Sequence, residues 1–194
     1  MDKQYNEIAF PKSLIAQDFL ENGFTNKDSL QWFLNIKESR LEYLFKYVFD
    51  TNKIEFTQKH IQSLFYFLKE NLYIKDKTEK EIQENIKLVP EHLKKIHKIE
   101  KYFIVEPSIS IIFDIAVFFG EYLIKEVENT YWHFLDIEDR VGANRPIIMK
   151  KDSNIECNPL WLLRILSKQL IEKDVNEDRM LNLFTMWKNA LVKG

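Results

Sequence analysis

The chain has 194 residues and a formal net charge of −2, with 45% hydrophobic and 30% charged residues. This near-neutral balance gives no global attraction to nucleic acid or to an anionic membrane. Cys157 is the only cysteine, which excludes an intrachain disulfide and fits a reducing compartment.

Fifteen Phe, eight Tyr and four Trp supply core volume, while four Gly and five Pro leave few turns. Low punctuation of this kind favours long helices over a many-stranded sandwich. The N-terminus lacks an apolar signal core behind a basic flank. The most apolar run, "ISIIFDIAVFFGEYLI", is interrupted by Asp114 and Glu121 and is short for a membrane span of roughly 20 residues. The expectation is a cytoplasmic protein without a membrane partner.

The first predicted helix covers about Leu14 to Glu21, with Gly23 suited to a left-handed cap. Next, Leu30, Phe33, Leu34, Leu41, Leu44, Phe45 and Val48 recur at helical spacing. Asp28 and Gln31 can form a capping box at its start. Lys37, Glu38, Arg40 and Glu42 lie off the apolar stripe and read as a solvated face. A further helix runs from about Thr57 to Tyr73. "KDKTEKEIQENIKLV" predicts a more polar one, with Thr78 and Glu81 as a capping box and Ile82, Ile86 and Val89 as its stripe.

Lys94, Lys95, Lys98 and Lys101 then make a basic amphipathic stretch. It reads either as a solvated face or as a surface for an anionic partner. After the break at "FIVEPSIS", Ser108 or Ser110 can cap a central helix. "YWHFLDIED", "RPIIMKK" and "IEC" read as strands joined by turns at "RVGAN" and "DSN". Asn158 and Pro159 open a helix as N-cap and N1, and a last helix covers about Glu177 to Val192.

The expected fold is therefore α+β and predominantly helical: several amphipathic helices plus one small antiparallel sheet of two or three strands near residues 131–157. A single domain, 1–194, is expected, with a sub-boundary near 106 as the alternative, dividing 1–106 from 107–194.

Motif chemistry excludes several classes. Four scattered glycines cannot build a phosphate loop, and neither H-E-x-x-H nor G-x-S-x-G occurs. One cysteine excludes zinc fingers and ribbons. His92 and His97 would lie about 140° apart on a helix, which makes a shared metal awkward. No metal and no cofactor is expected. Cys157 with His133 as its base is a conceivable nucleophile, against the plainer reading of a small buried hydrophobe.

Asp114 and Glu121 are the residues that ask for an explanation. Seven residues separate them, so both lie on one helix face, roughly 10 Å apart. As a general acid–base pair, with His133 or Arg145 nearby, they would need a cleft that leaves at least one exposed. As structural residues in a helix apolar on nearly every side, each must be paired. Glu121 has backbone amides, the Trp132 indole, Arg145 and Arg164 as candidate donors. Gly120 lets another backbone approach, and Glu121 would then pin the sheet to the central helix. On that reading Glu121→Gln lowers thermal stability substantially.

Along residues 108–170 the order "D…FFGEYL", a strand with Trp132, "NRPIIM" and "NPLWLL" resembles a loose class of uncharacterised bacterial proteins. In them a helix ending in Gly-Glu precedes a Trp-bearing hairpin. The resemblance implies an immunity or accessory protein of a bacterial toxin system. Two functions of different class follow. One is a non-enzymatic binding protein whose partner is another protein, with Tyr131, Trp132 and Phe134 as interface anchors. The acidic "DIED" and "EKDVNED" runs would suit a basic partner. The other is the acid–base enzyme. A self-associating helical protein, such as a homodimer, is the plain third.

Overall fold

The computed structural model describes residues 4–15, 19–26, 28–93, 99–134, 144–172 and 175–194. In chain order its elements are α1 (Phe19–Asn22), α2 (Asp28–Phe49), α3 (Gln58–Glu70), β1 (Ile74–Asp76) and α4 (Glu79–Leu88). A single 3-10 turn, Glu91–Leu93, precedes β2 (Tyr102–Ile104). Then come α5 (Ser108–Glu126), β3 (Thr130–Phe134), β4 (Pro146–Lys150), β5 (Glu156–Cys157), α6 (Pro159–Glu172) and α7 (Arg179–Lys193). The fold is α+β and predominantly helical.

α5 is the axis of the molecule. Fourteen of its 19 residues are buried, and only Lys125 and Glu126, in the last turn, are fully exposed. It packs against α2, α3, α6 and α7 and touches β3 and β4. A helix apolar all round can be accommodated only at the centre of other layers. One hydrophobic cluster joins Tyr5 near the start to Leu191 near the end, through Phe45, Phe65, Phe113, Phe118 and Leu163.

β3, β4 and β5 form an antiparallel sheet in that order, with Trp132 opposite Ile148 and Ile148 opposite Cys157. Alternation along β3 buries Thr130 and Phe134 and turns Tyr131 outward. A second sheet, absent from the sequence expectation, pairs β1 with β2 antiparallel, Ile74 opposite Ile104. It brackets α4, so the described residues from 74 to 104 form an excursion whose two ends lie side by side.

Several local expectations are met. Thr78 and Glu81 form the reciprocal capping box of α4. Asn158 Oδ1 accepts from the Trp161 amide at 2.9 Å and caps α6. Gly23 has φ +75° and its amide reaches Phe19 O.

Others are corrected. Gln31 does not close a capping box with Asp28: it donates to Asn35, and Asn26 Oδ1 accepts from the Asp28 amide. Ser108 and Ser110 do not cap α5, whose N-cap is Pro107. Both serines face inward. Ser108 Oγ accepts from the Tyr73 amide, and Ser110 Oγ accepts from the Ile8 amide. They tie distant segments to the first turn of α5.

The basic cluster at Lys94, Lys95 and Lys98, the "DIED" run and most of "RVGAN" lie outside the described residues, as do residues 16–18 of the first predicted helix and part of "EKDVNED". No helix among the described residues is long and apolar enough to cross a membrane.

Candidate functional site

Asp114 and Glu121 both face α2, and α2 supplies a cation to each. Arg40 Nε donates to Asp114 Oδ1 at 2.9 Å and Arg40 Nη2 to Oδ2 at 2.5 Å. The Tyr5 hydroxyl also donates to Oδ2, at 2.5 Å. Asp114 is 0% exposed. Lys37 Nζ lies 2.7 Å from Glu121 Oε1, which also accepts from Trp132 Nε1 at 2.8 Å. Lys37 and Arg40 are therefore not a solvated face. Their long arms carry charge from the flank of α2 to the side of α5.

Burial pushes the Asp114 carboxyl up to about 6, against the pull of Arg40 and Tyr5. Burial beside this carboxylate also drives the Tyr5 phenol far above its ordinary range. Every strong donor around Asp114 is engaged, and the group has no path to solvent. The Glu121 side chain is 21% exposed, but it shares no cleft with Asp114.

The remaining candidates of an acid–base site lie elsewhere. His133 packs edge-on against Tyr131 at 6.2 Å between ring centres, on the strand face opposite to that of Trp132. Cys157 is 0% exposed and burial raises its thiol well above the usual range, so it is poorly placed to act as a nucleophile. No group of three or more metal-ligating side chains occurs among the described residues.

Gly120 does make room, but for a side chain and not a backbone. A Cβ there would sit 2.2 Å from two carbons of the Trp132 ring. Trp132 lies over Gly120, meets Phe33 edge-on at 4.7 Å and donates to the next residue, Glu121. Of the three aromatic anchors, then, only Tyr131 faces outward, at 45% exposed; Phe134 is buried and Trp132 is spent on α5.

Arg145 and Arg164 do not reach Glu121. Both guanidinium groups lie over the Trp161 ring, at 5.2 and 5.3 Å from its centre. Arg145 donates to the carbonyls of Leu20 and Glu21, which end α1. Arg164 Nη2 pairs with Glu21 and with Glu100, the latter at 3.2 Å, and Lys168 pairs with Glu100 too. Burial lowers both arginines to about 10.

This charged cluster opens on a cavity of about 650 Å³, a site the sequence did not reveal. One wall is the α6 strip Trp161, Arg164, Ile165 and Lys168, whose spacing places them on one helix face. The opposite wall comes from the excursion, with Asn85, Leu88 and Val89. α4 has no buried residue, and its stripe, Ile82, Ile86 and Val89, is absent from the core cluster. The spacing W-x-x-R-I-x-x-K was legible, but only the position of α4 gives it an opposite wall.

Comparison of the chain with family models, with curated proteins and with solved structures found no match.

Proposed function

We propose that this chain is a non-enzymatic binding protein whose partner is another protein, a toxin in the immunity-protein form of this reading. The observation that carries it is the excursion, which presents apolar side chains to water. Leu88 is 82% exposed and Ile74 44%, and Tyr73, the residue before the excursion, is 50% exposed. Large exposed apolar side chains grouped on one unit are what partner surfaces use. The acid–base alternative loses support from the same side chains that suggested it, because Asp114 is sealed and Glu121 is held by Lys37 and Trp132.

The test is capture of partners by the tagged protein from lysate of its own host, beside the variants Leu88→Glu and Tyr73→Glu. A stoichiometric, salt-resistant protein that the wild type retains and both variants lose supports the reading. Capture of no protein, or equal capture by all three, overturns it.

A further inference from the structure

We propose that the cavity between α4 and α6 is a binding site for an amphipathic organic anion, an aliphatic chain ending in one carboxylate, and that Glu21 occupies the anion's place when the site is empty. The volume of about 650 Å³ lies within the range of small-molecule sites. Its walls are suited to an alkyl chain: Ile109 and Ile165 on the body, Leu88 and Val89 on the excursion, and the Trp161 ring between.

The charge pattern selects the sign of the head group. Lys77, Arg164 and Lys168 line the cavity against Glu21 and Glu100. Glu172 stands just behind the wall, accepting from the Tyr102 hydroxyl at 3.3 Å. Arg145, which does not itself line the cavity, is a further buried cation behind it over Trp161, with no carboxylate in ion-pair range among the described residues. Arg164 is 3% exposed, and its Nε has no hydrogen-bond partner. Buried guanidinium groups so placed stabilise an incoming carboxylate, with which Arg makes bidentate contacts.

Glu21 and Glu100 differ in freedom. The Glu100 side chain is 17% exposed and is shared by Arg164 and Lys168. The Glu21 side chain is 45% exposed and touches Arg164 from the rim. A ligand carboxylate can displace the half-exposed Glu21 into water because it takes Glu21's place beside the buried Arg164, so that this cation is never left unpaired. The unengaged face of α4 then closes on the alkyl chain, which supplies the apolar contact that helix lacks.

The experiment is calorimetric titration with dodecanoate below its micellar concentration, using dodecanol and dodecylammonium as controls. Dodecanoate is expected to bind at one site, and the two controls at least tenfold more weakly. Glu21→Ala should tighten dodecanoate severalfold by removing the competitor, Lys168→Met should weaken it, and Ile165→Trp should abolish it by filling the cavity. Circular dichroism and melting temperature establish that each variant is folded; should Ile165→Trp fail to fold, Ile109→Phe takes its place. Absence of dodecanoate binding, equal binding of dodecylammonium, or weaker binding to Glu21→Ala would each overturn the proposal.

Discussion

α5 and α4 are both helices whose apolar residues recur at helical spacing, and they meet opposite fates. α5 is enclosed along most of its length, and its two inner carboxylates, Asp114 and Glu121, are each tied to a cation of α2. α4 begins with a reciprocal capping box, yet none of its residues is fully buried, and Ile82 and Ile86 are only half-buried. Periodicity thus establishes that a helix has an apolar face; it does not say whether the protein itself covers that face. The polar residues inside α5 are fixed by the fold, whereas the apolar residues along α4 are left for something else.

The sharpest way to break this contrast is to leave a charge stranded in the core. Arg40→Met removes the only cation at Asp114 among the described residues and should cost about 3–5 kcal/mol, because a buried carboxylate is left without its counterion. Thermal unfolding with calorimetry measures it. Gly120→Ala should cost about 1–3 kcal/mol, since the new methyl group must move the Trp132 ring. A red shift of tryptophan emission should accompany it as the indole is driven toward water.

A smaller effect is expected at the second clamp. Glu121→Gln keeps an acceptor for Trp132 but removes the ionic contact to Lys37, at a cost of about 1 kcal/mol. That is roughly 2–4 °C in melting temperature for a chain of this size, less than the substantial loss expected from the sequence.

Asp114 also predicts a pH dependence. The folded protein holds its carboxyl proton up to about pH 6, above the ordinary value of 3.8. Between these values the native state binds more protons than the unfolded chain. This group's contribution to stability is therefore full below 3.8 and is lost as pH rises through 6. The melting temperature of wild type minus that of Asp114→Asn should fall between pH 4 and pH 7; a flat difference would contradict the raised carboxyl. The least effect is expected on α4, where Leu88→Ser should change stability by no more than about 0.5 kcal/mol by chemical denaturation.

Much of the helical order was legible, because α2, α3 and α7 each carry a long periodic stripe, α5 is a long run apolar on nearly every side, and α6 opens on Asn158 and Pro159. The Trp132–Glu121 contact was among the foreseeable options, since an indole donor follows a buried carboxylate by one hairpin strand. The cations Lys37 and Arg40 were not legible. They sit off the stripe of α2, and only the packing of α2 on α5 brings them within reach. β1 and β2 were equally hidden, because three-residue strands have no room for alternation, and the register pairs run from Ile74 with Ile104 to Asp76 with Tyr102, far apart along the chain. Arg145 and Arg164 were expected as donors to Glu121, but their partners are Glu21, Glu100 and carbonyls of α1, which local pattern cannot locate.

Tyr5 donates to Asp114, the Ile8 amide to Ser110, and Arg40 Nη2 to the Asn6 carbonyl. On a ribosome these residues emerge before α5, and the acceptors of Tyr5 and Ile8 leave the exit tunnel about a hundred residues after them. Tyr5 and Ile8 are thus made long before the residues that hold them. A nascent chain stalled before α5 would hold its opening segment undocked, open to chaperones and proteases, and would become resistant to them only once Asp114 is in place.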